Sequence, residues 1–417
     1  MDTYVNYTAR DEAYALPLDK IDVSDPQIYC NDTWYPYFER LRREDPVHFV
    51  PDSPYGPYWA VTKYKDMVKV EVNHKAFSSS DDLGGIRIED PPKGMERPSF
   101  IRMDPPEHDG QRLVVSPTVA PGNLAKMEAM IRERTCRVLD GLPREEEFNW
   151  VDRVSIELTS MMLATLFDYP IEERRALIRW SEIAICELNA PDAPVHTEEE
   201  RFAELVKFAE HMNELWEERA KQPPTFDIIS ILAHSDMMNR MPLRERMGIL
   251  ILFLVGGNDT TRNSMSGGVW GLSRYPEEFA KVRANRELIP GLVPEIVRWQ
   301  TPVIHMRRTA TEDAEIGGKA IRKGDKVVIW YISGNRDEEV IAEPNRLIAD
   351  RARPREHTAF GFGIHRCLGN RLAELQLRIL WEEILNRDLQ IEVLDKPVYA
   401  YSNFLRSIRS LPVRLAA

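Results

Sequence analysis

Apolar positions recur along most of the chain at three- and four-residue intervals, the period of helices that bury one face. Short stretches of this kind cover residues 34–44 and 65–73, and between them residues 48–50 and 58–64 alternate in the manner of strands. Residues 78–98 carry glycine and proline without periodicity, which predicts a long loop, and loops of that length are usually functional or disordered. From residue 109 to about 240 the pattern is helical, with breaks at Pro121, Pro143, Pro170, Pro191 and Pro223–Pro224. The longest periodic run, 242–274, is stopped by Tyr275–Pro276. A helix ending at Trp299 follows, then strand-like sequence over 308–332 and an irregular segment rich in proline and arginine to His357. A last helix is expected over 367–386, and the final thirty residues read as β. The pattern predicts a mainly α chain with minor β (α+β), one domain over residues 1–417, with residues 1–20 as an irregular arm.

Composition adds exclusions. The chain is 43% hydrophobic and 29% charged, an ordinary globular balance with ample material for a core. Its net charge of −12 disfavours nucleic acid and acidic membrane surfaces, so an acidic partner needs a local basic patch. The first thirty residues have neither a basic leader nor an apolar run. The longest apolar run, 249–255, falls far short of the roughly 20 residues of a spanning helix. The expectation is a soluble, cytoplasmic protein. Four cysteines with no C-x-x-C pair support neither a disulfide framework nor a structural zinc site.

One of those cysteines sits in an unusual place. Residues 360–369 read FGFGIHRCLG, a glycine-rich loop leading straight into a helix. Cys367 there is a buried inert thiol, a catalytic nucleophile or a thiolate ligand. The unpaired N–H groups and positive dipole end of a helix N-terminus stabilise a thiolate. Gly361, Gly363 and Gly369 allow tight turns and close approach of a flat cofactor. No histidine–asparagine arrangement suggests a hydrolytic nucleophile. A thiolate held in this way against a planar macrocycle is what a cysteine-ligated haem requires.

The pattern F-G-x-G-x-H-x-C-x-G resembles the haem-ligand signature of the cytochromes P-450 at every fixed position. The resemblance implies a helix-rich lobe and a smaller β-rich lobe around one buried haem b. Cys367 is then the axial iron ligand, Phe360 packs near its sulfur, and His365 reaches a haem propionate. About seventy residues earlier, Glu295-x-x-Arg298 resembles the family's structural ion pair, which Arg346 would complete as a triad. Alone, such a spacing is ordinarily a solvated surface pair. His108-x-x-x-Arg112 and the strand residue Arg308 resemble the remaining propionate partners, with Arg307 facing the other way.

In the long helix, two adjacent glycines cost about 1 kcal/mol each relative to alanine, so something is expected to approach the backbone there. The run Gly256-Gly257-Asn258-Asp259-Thr260-Thr261 resembles the family's acid–alcohol pair. By that resemblance Thr260 hydrogen-bonds oxygen bound at the haem and Asp259 relays protons from water.

Residues 255–268, 294–302, 305–310, 322–337 and 360–385 closely resemble the bacterial branch of alkane and fatty-acid terminal hydroxylases, the 153 family. The likeness is weaker at 78–98 and 184–216, where the wider family shapes its substrate pocket. It implies insertion of one atom of dioxygen into a C–H bond, at the terminal methyl of a medium-chain alkane or fatty acid. Electrons would come from a ferredoxin and its NAD(P)H-dependent reductase, delivered to a monomer without membrane anchor. Val255, Gly256, Val303, Ile304 and Phe404 are expected to line the pocket, and Arg351, Arg353, Arg355 and Arg366 to form a basic docking patch. Two alternatives remain: hydroxylation of a terpene, steroid or other cyclic substrate, and a haem-binding sensor, which would need no Asp259–Thr260 pair.

Overall fold

In the computed structural model, which describes residues 5–416, the chain opens with a short helix rather than an irregular arm. Helix α1 (Arg10–Ala15) buries Ala13 against α2 (Tyr35–Glu44), whose Arg40 guanidinium donates to the carbonyls of Ala13 at 2.7 Å and Leu16 at 2.6 Å. A 3₁₀ turn follows at Leu18–Lys20. The expected arm over 1–20 is thereby corrected, apart from residues 1–4, which lie outside the described residues. A single turn or two of helix is too short for periodicity to register, and this one exists only by docking.

The β-rich part is a five-stranded sheet in the order β1 (Val47–Val50), β2 (Tyr58–Val61), β5 (Lys326–Ile329), β4 (Met306–Ala310) and β3 (Phe77–Ser78). Helix α3 (Tyr64–Val72) lies between β2 and β3 in sequence. Only the β2–β5 pairing is parallel, with Trp59 opposite Val327. The pleat of β4 sends neighbouring arginines to opposite faces, as expected. Arg307 pairs with Asp90, and Arg308 turns toward the interior cavity.

The rest is helical: α4 (Glu107–Val115), α5 (Pro121–Asp140), α6 (Glu157–Phe167), α7 (Arg174–Ile185), α8 (Glu198–Arg219), α9 (Leu243–Arg274), α10 (Ile289–Gln300) and α11 (Asn370–Asn386). Pro121 opens α5, where its missing N–H costs nothing, and Pro170, Pro191 and Pro223–Pro224 fall in connections. Helix α9, 32 residues and about 48 Å long, is the axis on which α6, α7, α8, α10 and α11 pack. Its first half joins one apolar core with α5, α6 and α8, and its second half joins another with α10 and α11. Strand Pro412–Leu415 pairs with both Glu147–Asn149 and Ile391–Val393. Just before it, the chain folds back on the segment after α10, where the Ile304 N–H donates to the Phe404 carbonyl at 2.8 Å. Among the described residues no helix is long and apolar enough to cross a membrane.

Candidate active site

One face of α9 forms a wall of a mainly apolar cavity of about 220 Å³. Leu252, Phe253, Gly256, Gly257, Thr260 and Ser264 reach it, and their spacing is that of a single helical face. A side-chain carbon added to Gly256 would meet nothing within 4 Å, so this glycine opens onto empty space rather than onto a neighbouring chain. Thr260 faces the cavity, and its hydroxyl donates to the Gly256 carbonyl at 3.0 Å. Asp259 does not reach it. One residue back, it points about 100° away around the helix, fully buried, where it accepts from the Ser181 hydroxyl and pairs with Arg262. Arg262 in turn lies 3.6 Å from Glu182. The expected acid–alcohol pair is split between two environments.

Across the cavity stands the loop before α11. Gly361 and Gly363 both have φ of +63°, and a side chain at Gly363 would collide with the Glu71 backbone of α3. The loop closes on itself through the Cys367 N–H, which donates to the Phe360 carbonyl at 2.8 Å. The helix starts at Asn370, three residues later than expected, so the N–H groups of Gly369 and Asn370 point back at the Cys367 sulfur. Burial pushes that thiol up from its ordinary value, against those N–H groups and the charges of Arg112 and Arg366. The surface that Cys367 exposes faces the cavity on one side and a concave basic hollow on the other. Phe360 lies beside it on the cavity wall.

Between loop and sheet is a cluster of cations and imidazoles. His365 Nε2 is 2.7 Å from Ser79 Oγ, and its ring meets that of His108 edge-on at 4.7 Å. His365 Nδ1 and His108 Nε2 are buried without a hydrogen-bond partner among the described residues. Arg308 and Arg112 flank them on the cavity wall; Arg112 also donates to the Arg366 carbonyl at 2.6 Å. Burial, then the neighbouring Arg308, His108 and Arg112, drive the His365 imidazole down to about 2. The four residues expected as propionate partners thus come together, with Arg112, Arg308 and His365 on the cavity wall and His108 behind His365.

Three others were not expected. Glu71 on α3 accepts from the Tyr331 hydroxyl and from the Phe362 N–H at 2.9 Å, and lies 3.4 Å from Arg308. Burial pushes its carboxyl up, against the attraction of Arg308. Ser79, the third, sits at the start of the loop over 78–98. The available signal was Glu71 sharing the buried face of α3 with Met67 and Val70, an acid where an apolar residue belongs.

Two expectations are corrected. Glu295 and Arg298 form a fully buried pair at 2.7 Å, but the third member is Arg351, whose Nε donates to Glu295 Oε2 at 2.9 Å. Arg346 pairs with Glu277 at the surface, and only its carbonyl accepts from Arg298. Arg351 therefore leaves the proposed docking patch. Of the five expected pocket residues, only Gly256 and Val303 line the cavity. Val255 turns to the opposite side of α9, Ile304 is fully buried in the sheet core, and Phe404 packs on His305 and Arg87. Phe100, Ile101 and Leu166 take their place.

The cytochrome P450 family model matches residues 191–397. Linalool 8-monooxygenase of Pseudomonas putida is 37% identical over 408 residues, covering 95% of this chain and 99% of that protein. This chain is a cytochrome P450. Among solved P450 structures, CYP153D17 from Sphingomonas sp. PAMC 26605 superposes with a TM-score of 0.90 at 45% identity, covering 96% of this chain and all of that one. The methyl-branched lipid omega-hydroxylase of Mycobacterium tuberculosis is 31% identical over 418 residues, covering 95% and 96%. P450s bind haem, and the site of this P450 fits one. Two orphaned imidazole nitrogens and two arginines are suited to a pair of propionates, a thiol stands at a helix N-terminus, and the walls between are apolar. The chain is an oxidoreductase of the monooxygenase type.

Proposed function

We propose that this P450 hydroxylates the terminal methyl of a linear hydrocarbon chain, a medium-chain alkane or fatty acid. The observation that carries the reading is the cavity: it joins Cys367 to Thr260, its arginines and His365 gather at the propionate end, and Phe100, Ile101, Leu166, Leu252, Phe253 and Val303 form an apolar stretch of its wall. Such a stretch of wall suits a hydrocarbon chain. The 153-type structural relative and the omega-hydroxylase relative support the same choice.

In this reading Cys367 ligates the iron of haem b and Phe360 shields the sulfur. His108, Arg112, Arg308 and His365 hold the propionates. Haem, when bound, supplies the activation of dioxygen with two electrons and two protons, giving alcohol and water. The protein does the steering. Thr260 Oγ1 holds a proton at the cavity wall, and Asp259 replenishes it from the Ser181–Arg262 side. Electrons arrive from a reduced ferredoxin at the basic hollow beyond Cys367, in the cytoplasm.

A methyl C–H is harder to cleave than a methylene, and overcoming a hundred-fold handicap takes about 2.7 kcal/mol of geometric preference. A channel that admits the chain end alone supplies it. The test is product analysis from a ferredoxin-supported reaction with a medium-chain alkane and the matching acid. Terminal alcohols are expected; predominantly subterminal alcohols would refute the assignment. The linalool 8-monooxygenase relative favours a second reading, an acyclic terpene alcohol, and turnover confined to such a compound would establish it.

A further inference from the structure

The buried carboxylate of α3 meets two parts of the haem cradle at once. Glu71 Oε2 accepts from the Phe362 N–H at 2.9 Å, in the loop that leads to Cys367. Glu71 Oε1 accepts from the Tyr331 hydroxyl and lies 3.4 Å from Arg308 Nη2. Arg308 has no other acidic partner within ion-pair distance among the described residues, and both side chains of the pair are buried.

The backbone is fitted to this contact. A side-chain carbon at Gly361 would come within 3.2 Å of Glu71 Oε1, and one at Gly363 would sit 2.4 Å from the Glu71 carbonyl oxygen. Tyr64, at the other end of α3, meets the Phe362 ring edge-on at 5.8 Å, so the loop lies along the helix. Every group that reaches the carboxyl is a donor: a hydroxyl, a backbone N–H and a guanidinium. Burial, then the Glu71 charge, hold the Tyr331 hydroxyl in its protonated, donating form. An ionised carboxyl, which only accepts, satisfies all three. A buried anion is costly, so packing alone gives no reason for an acid here.

We propose that Glu71 is a positioning residue for the haem: it holds Arg308 and the loop before Cys367 to one another, and its negative charge keeps the iron harder to reduce. The inference rests on Arg308 as a propionate partner. Arg308 then serves two carboxylates, and Glu71 takes up part of the positive charge that the propionate would otherwise receive. Without the Glu71 charge the site becomes more positive, which favours ferrous iron, the form with one electron more. Partners behind the groups that touch a metal cofactor tune it in this way.

The experiment is reductive titration of the haem-loaded, substrate-free protein with dithionite and mediator dyes, following the Soret band as one electron converts ferric haem to ferrous. Glu71→Gln, of the same shape without the charge, is expected to move the equilibrium about tenfold toward ferrous, or about 59 mV for one electron. Glu71→Asp, which keeps the charge but draws it back by one carbon, should move it in the same direction by less. An unchanged or lower potential in the glutamine variant, or equal shifts in both variants, would reduce Glu71 to packing and overturn the proposal. Should the glutamine variant not hold haem, the aspartate variant decides: a small rise supports the proposal, and an unshifted potential overturns it. Arg308→Gln tests the propionate contact separately, since losing that positive charge should lower the potential. If the potential does not move, Arg308 is no propionate partner, and the proposal falls with that reading.

Discussion

Thr260 and Asp259 adjoin in sequence and differ in everything their surroundings impose. The threonine hydroxyl faces the cavity with one backbone acceptor, and the aspartate is sealed against Ser181 and Arg262. Replacing Thr260 by alanine should therefore leave haem and substrate binding intact while most reducing equivalents end in hydrogen peroxide. Alcohol formed per NAD(P)H consumed measures this, and tight coupling would reduce Thr260 to packing. The residue types of this pair were legible in the sequence; their orientation was not, because a four-residue match does not fix the rotation of a helix about its axis. The small residues Gly256, Thr260 and Ser264, spaced at four, mark the cavity face. That series excludes Asp259 and Val255 from it.

Elements are held by contacts that spacing alone does not assign. The pair Glu295–Arg298 could be read from its position on α10, since i, i+3 neighbours must meet. Its third partner comes from a segment without regular structure, where five residues separate the expected Arg346 from the observed Arg351. No periodicity distinguishes arginines in such a segment. Arg351→Ala should cost about 2 kcal/mol, since it removes a hydrogen bond to a buried carboxylate. Arg346→Ala should stay within about 0.5 kcal/mol, because its surface pairs are solvated. Denaturant midpoints compare the two, and the reverse order would restore Arg346 to the triad. The long helix and the Cys367 loop were legible because each is specified locally, by period and by turn chemistry. Three of the five pocket residues were misplaced because a cavity is assembled from chain segments far apart.

At the scale of the whole molecule the net charge is −12, yet Arg112, Arg355, Arg366 and Arg371 line the hollow outside Cys367. Arg355 is engaged with Glu374 at 2.6 Å, whereas no acidic partner lies within ion-pair distance of Arg371 among the described residues. Arg371→Glu should slow reduction by an acidic ferredoxin about tenfold at low ionic strength, with the difference fading as salt is added. Arg353→Glu, whose arginine pairs with Glu356 and lies outside the hollow, is the control. Equal rates for both variants at low salt would move the docking site elsewhere. The fold also carries a timetable. The Asn263 side chain of α9 binds Ser407 and the N–H of Ile408, the Gln300 amide binds the Arg406 carbonyl, and Val303 bridges Leu405. Ribosomes release these late residues only after everything they brace has emerged, and chains fold in the order they emerge. The helix that carries Thr260 and the cavity wall at Val303 are therefore braced by residues made far later than they are, so the site is finished only when the segment 405–408 has joined it.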